Sequence, residues 1–90
     1  MPAGNAPEQG INAVVELAQQ TLKLNDLNDL KNGTSVSVTV VHGGSATNVI
    51  PAKATAEVDV RTLTARAWDD ISDKILNLTP FIPGAKVSAS

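Results

Sequence analysis

The stretch Thr34-Ser-Val-Ser-Val-Thr-Val-Val-His42 decides the fold, because its apolar residues alternate with polar ones. A period of two is typical of a β-strand with one buried face, and it predicts that Val36, Val38 and Val40 point inward. The stretch Lys53–Arg61 repeats the pattern. Its predicted inward residues are Ala54, Ala56, Val58 and Val60. The sequence therefore predicts two antiparallel strands, joined by a linker that is too long for a tight hairpin.

Helical patterns flank the two strands. Before them, apolar residues recur at intervals of three and four, which predicts a helix that begins near Asn5 and ends near Leu24. Its apolar face consists of Ile11, Val14, Val15, Ala18 and Leu22. After the strands, Thr64 is the predicted cap of a second helix that ends before Pro80. Its predicted core residues are Trp68, Ile71, Ile75 and Leu78. Residues Ala85–Ser90 then predict a short last strand.

The predicted order of elements is helix, strand, strand, helix, strand. This order indicates an α+β, ferredoxin-like split βαβ domain that lacks its first strand, with an antiparallel sheet and two helices on one face. Residues 1–90 form a single domain, since a chain of this length rarely builds two cores. The missing strand lies upstream in a longer chain, or the remaining strands close up, or a second copy completes the sheet. With few aromatic residues, we expect a thin core and marginal stability or self-association.

Composition argues against several classes of function. A formal charge of −2 and a pI of about 5.1 are unsuited to nucleic acid, which requires a basic surface. No run approaches the ~18 apolar residues of a membrane span. With one histidine and no cysteine, no self-contained metal site is expected. The absence of cysteine leaves the compartment open between cytoplasm and periplasm.

Two polar residues are candidates for binding a substrate. Arg61 ends the second predicted strand on its polar face, where a guanidinium can hold a carboxylate through parallel donors. The alternative for Arg61 is an ion pair with Asp59. Asn48 offers a donor and an acceptor to a peptide carbonyl or carboxylate, and its alternative role is to form a turn. His42 has no acid or nucleophile spaced to pair with it, so we expect a solvated strand-end residue.

Two segments resemble a known enzyme family. The run Ala3-Gly-Asn-Ala-Pro-Glu-Gln-Gly-Ile-Asn-Ala-Val-Val-Glu-Leu-Ala18 is similar to a motif of glutamate carboxypeptidases, aminoacylases and desuccinylases. That motif reads His-Ala-Gly, Pro-Glu, Gly, Asn-Ala and an apolar helix. Gly43-Gly-Ser-Ala-Thr-Asn-Val-Ile-Pro51, followed by Asp59-Val-Arg61, resembles the Asn-x-Ile-Pro and Asp-x-Arg signature of the same family. The motifs occur in the family's order and span nearly the whole chain.

The resemblance implies the dimerisation (lid) domain of a di-zinc carboxypeptidase-type hydrolase, whose parent cleaves an amide bond next to a carboxylate-bearing residue. Zinc, its ligands and the catalytic glutamate then belong to another domain, so this piece alone is predicted to be inactive. Asn48 and Arg61 match the family's substrate-holding Asn and Arg, whereas Pro2 stands where the family has a histidine that faces the partner subunit. The implied partners are a second copy, bound through the first helix and edge strand 34–42, and a peptide or N-acyl amino acid substrate. The alternative is a stand-alone self-associating module without an enzymatic role.

Overall fold

The computed structural model describes residues 10–90, in which two helices pack on one face of a two-stranded antiparallel sheet. In chain order the elements are α1 (Ala13–Asn25), β1 (Ser35–Gly43), β2 (Ala54–Arg61) and α2 (Ala65–Leu76). The α+β class and the antiparallel pairing are confirmed. Residues 85–90 form no strand, so the predicted last strand is wrong. In the complete pattern it would pair with the first strand, and no such strand lies beside it among the described residues.

The first helix begins later than the sequence predicts. Asn12 caps α1, because its side-chain oxygen accepts hydrogen bonds from the N–H groups of Val14 and Val15 at 3.0 and 3.3 Å. Ile11 precedes this cap and is therefore not part of the helical face. The start predicted near Asn5 lies outside the described residues. The cap of α2 is as predicted, with the Thr64 hydroxyl accepting from a main-chain N–H at 3.0 Å.

The Asn28 side chain forms the hydrogen bonds near the start of β1 that a neighbouring strand would otherwise form. Asn28 donates through Nδ2 to the Val36 carbonyl at 2.9 Å and accepts through Oδ1 from the Val36 N–H at 2.7 Å. Val36 is fully buried. These two main-chain groups point away from β2, and no other strand within residues 10–90 lies beside them to bond. Asn28 therefore satisfies a buried pair of groups that the sheet leaves open.

A β-bulge at Thr39 shifts the register of the sheet. Val38 lies opposite Val58, whereas Val40 lies opposite Glu57. One extra residue in β1 moves the following side chains to the other face. The prediction that Val40 points inward is therefore wrong, because it shares the outer face with Glu57. The inward and outward alternation predicted for β2 is confirmed.

The hydrophobic core is thin, as the composition predicts. Three apolar residues in the described part of the chain are buried, namely Leu24 on α1, Val36 on β1 and Ile71 on α2. The partly buried residues packed against them are Leu27, Val38, Val58, Val60, Ile75 and Leu78. Trp68, predicted to lie in the core, is 49% exposed because it borders an open groove beside β2. Both helices contribute to this core, which places them on the same face of the sheet.

We expect Asn28→Ala to lower the free energy of unfolding by about 1–3 kcal/mol, since the buried main-chain groups of Val36 lose their partners. Urea unfolding followed by circular dichroism measures this change. Asn32→Ala is the matched control in the same loop, because its side chain bonds the exposed Asp29 carboxylate at 2.8 Å. For the control we expect a change within about 0.5 kcal/mol. Equal effects of the two substitutions would contradict the role assigned to Asn28.

Candidate functional site

Helix α1 turns a polar side toward the interior and an apolar side toward solvent. Its buried residues are Glu16, Gln20 and Leu24, spaced by four. The apolar residues predicted on this helix lie on its opposite side, given 3.6 residues per turn, and they are exposed. These residues, which we call the α1 stripe, are Val14, Val15, Ala18 and Leu22. The apolar pattern therefore identifies a surface and not the core.

The Glu16 carboxylate ties α1 to the chain that follows α2. Its Oε1 accepts hydrogen bonds from the N–H groups of Phe81 and Ile82 at 3.0 and 2.8 Å, and its Oε2 accepts from Gln20 Nε2 at 2.7 Å. Glu16 is only 5% exposed. Burial raises the pKa of this carboxyl, but the hydrogen bonds from Ile82, Gln20 and Phe81 outweigh burial, so the pKa lies below its ordinary value. The carboxylate is therefore stable in its charged form inside the domain.

The Gln20 amide also bonds the chain that follows α2, and its Oε1 has no hydrogen-bond partner among the described residues. Its Nε2 also donates to the Thr79 carbonyl at 2.8 Å. Its Oε1 is buried and accepts no hydrogen bond from any group within residues 10–90. A buried acceptor without a donor costs free energy, so such an atom requires an explanation. Neither Glu16 nor Gln20 was predicted from the sequence, because a polar pair spaced by four on a helix more often faces water.

The α1 stripe continues onto the exposed end of β1. A Cβ placed on Gly43 would lie 2.8 Å from Val14 Cγ2, so the helix and the strand end are in contact there. Val41 is exposed on the same side of the sheet. β1 is an edge strand, and beyond the Asn28 contact at Val36 the main-chain groups that point away from β2 remain unpaired in the described structure. The surface thus combines apolar side chains with an open strand edge.

The two residues predicted to hold substrate lie at opposite ends of β2. Arg61 ends the strand opposite Ser35, whereas Asn48 lies in the loop that enters the strand at Ala54. A rise of about 3.3 Å per residue separates the ends of β2 by roughly 23 Å. The described chain does not bring these two side chains together.

Both candidate side chains are exposed. The Arg61 Nε donates to Asp59 Oδ2 at 3.0 Å, which is the ion pair considered as an alternative for this residue. Asn48 lies in a turn and makes no side-chain hydrogen bond within residues 10–90. His42 is exposed at the end of β1, which confirms the expected solvated position. Neither Arg61 nor Asn48 is buried against its own domain.

Zinc is implied for the parent enzyme by the sequence resemblance, and a protein zinc site requires three or four nitrogen, sulfur or carboxylate ligands. Across residues 10–90, no group of three or more His, Cys, Asp or Glu side chains could hold a metal ion. This part of the chain does not fit a zinc site, and no chemical step through zinc is assigned to it. Over the same range, no helix is long and apolar enough to cross a bilayer.

Comparison with known proteins identifies the family. Residues 3–79 match the family described as the peptidase dimerisation domain. The chain belongs to this family. The dimerisation domain is 39% identical over 59 residues to carboxypeptidase G2 of Pseudomonas sp. (strain RS-16). It is 43% identical over 60 residues to a p-aminobenzoyl-glutamate hydrolase of Escherichia coli (strain K12).

Each of these matches covers 66% of the dimerisation domain and 14% of the relative. The chain therefore spans a small part of the length of the curated relatives it matches. The resemblance inferred from the sequence motifs is confirmed at the level of this dimerisation-domain family. The roles of Asn48 and Arg61 stay predictions.

We expect Glu16→Gln to lower the free energy of unfolding of the dimerisation domain by about 1–3 kcal/mol at neutral pH, since one amide oxygen replaces two carboxylate oxygens. Because the pKa of Glu16 is lower in the folded domain than in the unfolded chain, its ionisation stabilises the wild type at pH values above the ordinary carboxyl pKa of ~4.3. This stabilisation is lost as the pH falls through the lowered pKa of the folded domain. The free energy of unfolding of the Glu16→Gln variant should therefore depend less on pH in the acid range than that of the wild type. Urea unfolding at a series of pH values measures both effects.

The matched control for this experiment is Glu57→Gln on the outer face of β2, where the carboxylate is exposed. We expect the control to keep the stability and the acid profile of the wild type. If Glu16→Gln behaved like the control, the conclusion that the Glu16 carboxylate holds α1 to the main chain of residues 81–82 would be contradicted.

Proposed function

We propose that this domain joins two copies of a zinc-dependent carboxypeptidase-type hydrolase and supplies side chains that hold its substrate. The exposed α1 stripe beside the open edge of β1 is the observation that carries the first part. The family description supports self-association in general. The names of the relatives, a carboxypeptidase and a p-aminobenzoyl-glutamate hydrolase, support a substrate with an amide bond next to a carboxylate-bearing residue.

The interface is a homodimer contact through α1 and β1. Two copies related by a two-fold axis would present the same stripe to each other, and covering an aliphatic side chain contributes ~1.5–3 kcal/mol. The polar side of α1 is unavailable for this contact, because Glu16 and Gln20 already bond residues 79–82. The Asn28 amide bonds the edge of β1 at Val36. The β1 strands of two copies can therefore pair only through the residues of β1 that follow Val36.

The separation of Arg61 and Asn48 bears on how substrate is held. Because the ends of β2 are roughly 23 Å apart, one small substrate cannot contact both side chains of a single copy. We infer that Arg61 of one copy and Asn48 of the other act on the same substrate. Arg61 would bind the carboxylate through its guanidinium, and Asn48 would bind a carbonyl or carboxylate through its amide. When bound in the parent's catalytic domain, zinc would supply the activated water for hydrolysis.

Self-association is tested with a matched pair of substitutions. Leu22 on the α1 stripe is 68% exposed, and Leu30, outside the stripe, is 73% exposed. We expect Leu22→Glu to raise the dimer dissociation constant at least tenfold, because it places a charge in an apolar contact, whereas Leu30→Glu should leave it unchanged. Sedimentation equilibrium measures both constants. A wild-type monomer at high concentration, or equal effects of the two variants, would contradict the proposed interface.

Substrate binding from two copies is tested by mixing full-length parent enzymes that carry Asn48→Ala or Arg61→Ala. Each variant alone should show a raised KM with unchanged zinc content. After exchange of protomers, a mixed dimer would contain one site with both native side chains. We expect roughly a quarter of wild-type activity, since about half of the dimers are mixed and half of their sites are intact. No recovery on mixing would show that both side chains serve the same copy.

A further inference from the structure

The loop that carries Asn48 is held at both ends by the first turn of α1. It follows the end of β1 at Gly43 and enters β2 at Ala54. Residues 44–49 of this loop are all exposed. The direction in which the loop projects therefore depends on the contacts at its two ends.

Gly43 fixes the point at which the loop leaves the domain. A Cβ placed on Gly43 would lie 2.8 Å from Val14 Cγ2 and 3.0 Å from Ala54 Cβ, so no side chain fits between α1 and the sheet at this position. Gly44 follows with a φ of +93°, which glycine adopts most readily. Around a Cβ placed on Gly44, no atom of the described chain lies within 4 Å. The chain thus passes from close packing to open space within one residue.

A main-chain hydrogen bond fixes the point at which the loop returns. The Ala13 N–H donates to the Pro51 carbonyl at 3.0 Å. Ala13 is the first residue of α1, and the first N–H groups of a helix have no acceptor within it. The Asn12 side chain accepts from the next two N–H groups, so Ala13 depends on Pro51. Because Pro51 also favours an extended Ile50, the chain is restrained just after Asn48.

The same turn of α1 belongs to the proposed dimer contact. Val14 lies against Gly43 and is also the first residue of the α1 stripe, with 40% of its surface exposed. In the proposed function, Asn48 contacts a substrate that Arg61 of the other copy holds. One helix would then carry both the contact between copies and the two supports of the Asn48 loop. The position of Asn48 relative to the other copy would be set at this turn.

We propose that Gly43 and the Ala13 N–H are positioning groups, which hold Asn48 in place for a substrate bound by a second copy. This inference rests on the proposed function. Neither group touches the substrate, because Gly43 sets where the loop leaves the domain and the Ala13 N–H sets where it returns. A displacement of about 1 Å at a group that binds substrate can lower activity as much as ~100-fold. The two supports therefore determine whether the Asn48 amide reaches the substrate.

Two variants of the full-length parent enzyme test the two supports, with N-benzoylglutamate as substrate and protein well above the dimer dissociation constant. Gly43→Ala forces Val14 or the end of β1 to move. Ala13→Pro removes the N–H donor and keeps the helix, since proline is favoured at the first helical position. We expect each to lower kcat/KM roughly three- to tenfold, the loss of one neutral hydrogen bond, with unchanged zinc content. The control Thr55→Ala, exposed on the outer face of β2, should leave kcat/KM unchanged.

Combination with Asn48→Ala separates positioning from a general loss of stability. If the supports act through Asn48, adding Gly43→Ala or Ala13→Pro to Asn48→Ala should lower kcat/KM no further. The two variants perturb the loop independently, so either one that folds carries the test. Effects that multiply, or anchor variants with wild-type kinetics beside an impaired Asn48→Ala, would overturn this inference and leave the proposed function intact. Wild-type kinetics of Asn48→Ala itself would overturn both.

Discussion

The buried Glu16 carboxylate fixes the orientation of α1, and the rest of the domain depends on this orientation. Two main-chain N–H groups and the Gln20 amide satisfy the carboxylate, so the polar side of the helix is held inside. The apolar side must then face outward. With three buried apolar residues in the described core, the domain retains much of its aliphatic surface for contacts outside itself. An exposed apolar stripe of this kind is typical of an interaction surface.

Local patterns predicted the elements that local chemistry determines. Alternation predicted β1 and β2, and the Thr64 cap predicted the start of α2, because neither depends on distant partners. The bulge at Thr39 was not predictable, since it arises from pairing with β2 and leaves the alternation of the sequence intact. The rotation of α1 was also missed, because its apolar pattern is the same whether that side is buried or exposed. The prediction of a last strand at residues 85–90 was wrong, because no strand in the described part of the chain lies beside these residues to pair with them.

The family motifs predicted Asn48 and Arg61 as a pair, and the fold shows what such a pairing requires. Residues that are close in sequence lie far apart when a full β-strand separates them, so we propose that the two side chains meet across two copies. Dimerisation and substrate binding would then be one property of the same assembly.

We propose that the outward side of α1 lies against the same side of α1 in a second copy. A spin label on Ala18→Cys measures this directly by double electron–electron resonance, because the native chain contains no cysteine. If the two helices are in contact, we expect one short distance between labels in two copies, within about two helix diameters, or ~20 Å. A matched label on Leu30→Cys should give a longer distance. If no distance between labels in two copies were measured, or if Leu30→Cys gave a shorter distance than Ala18→Cys, the interface through α1 would be contradicted.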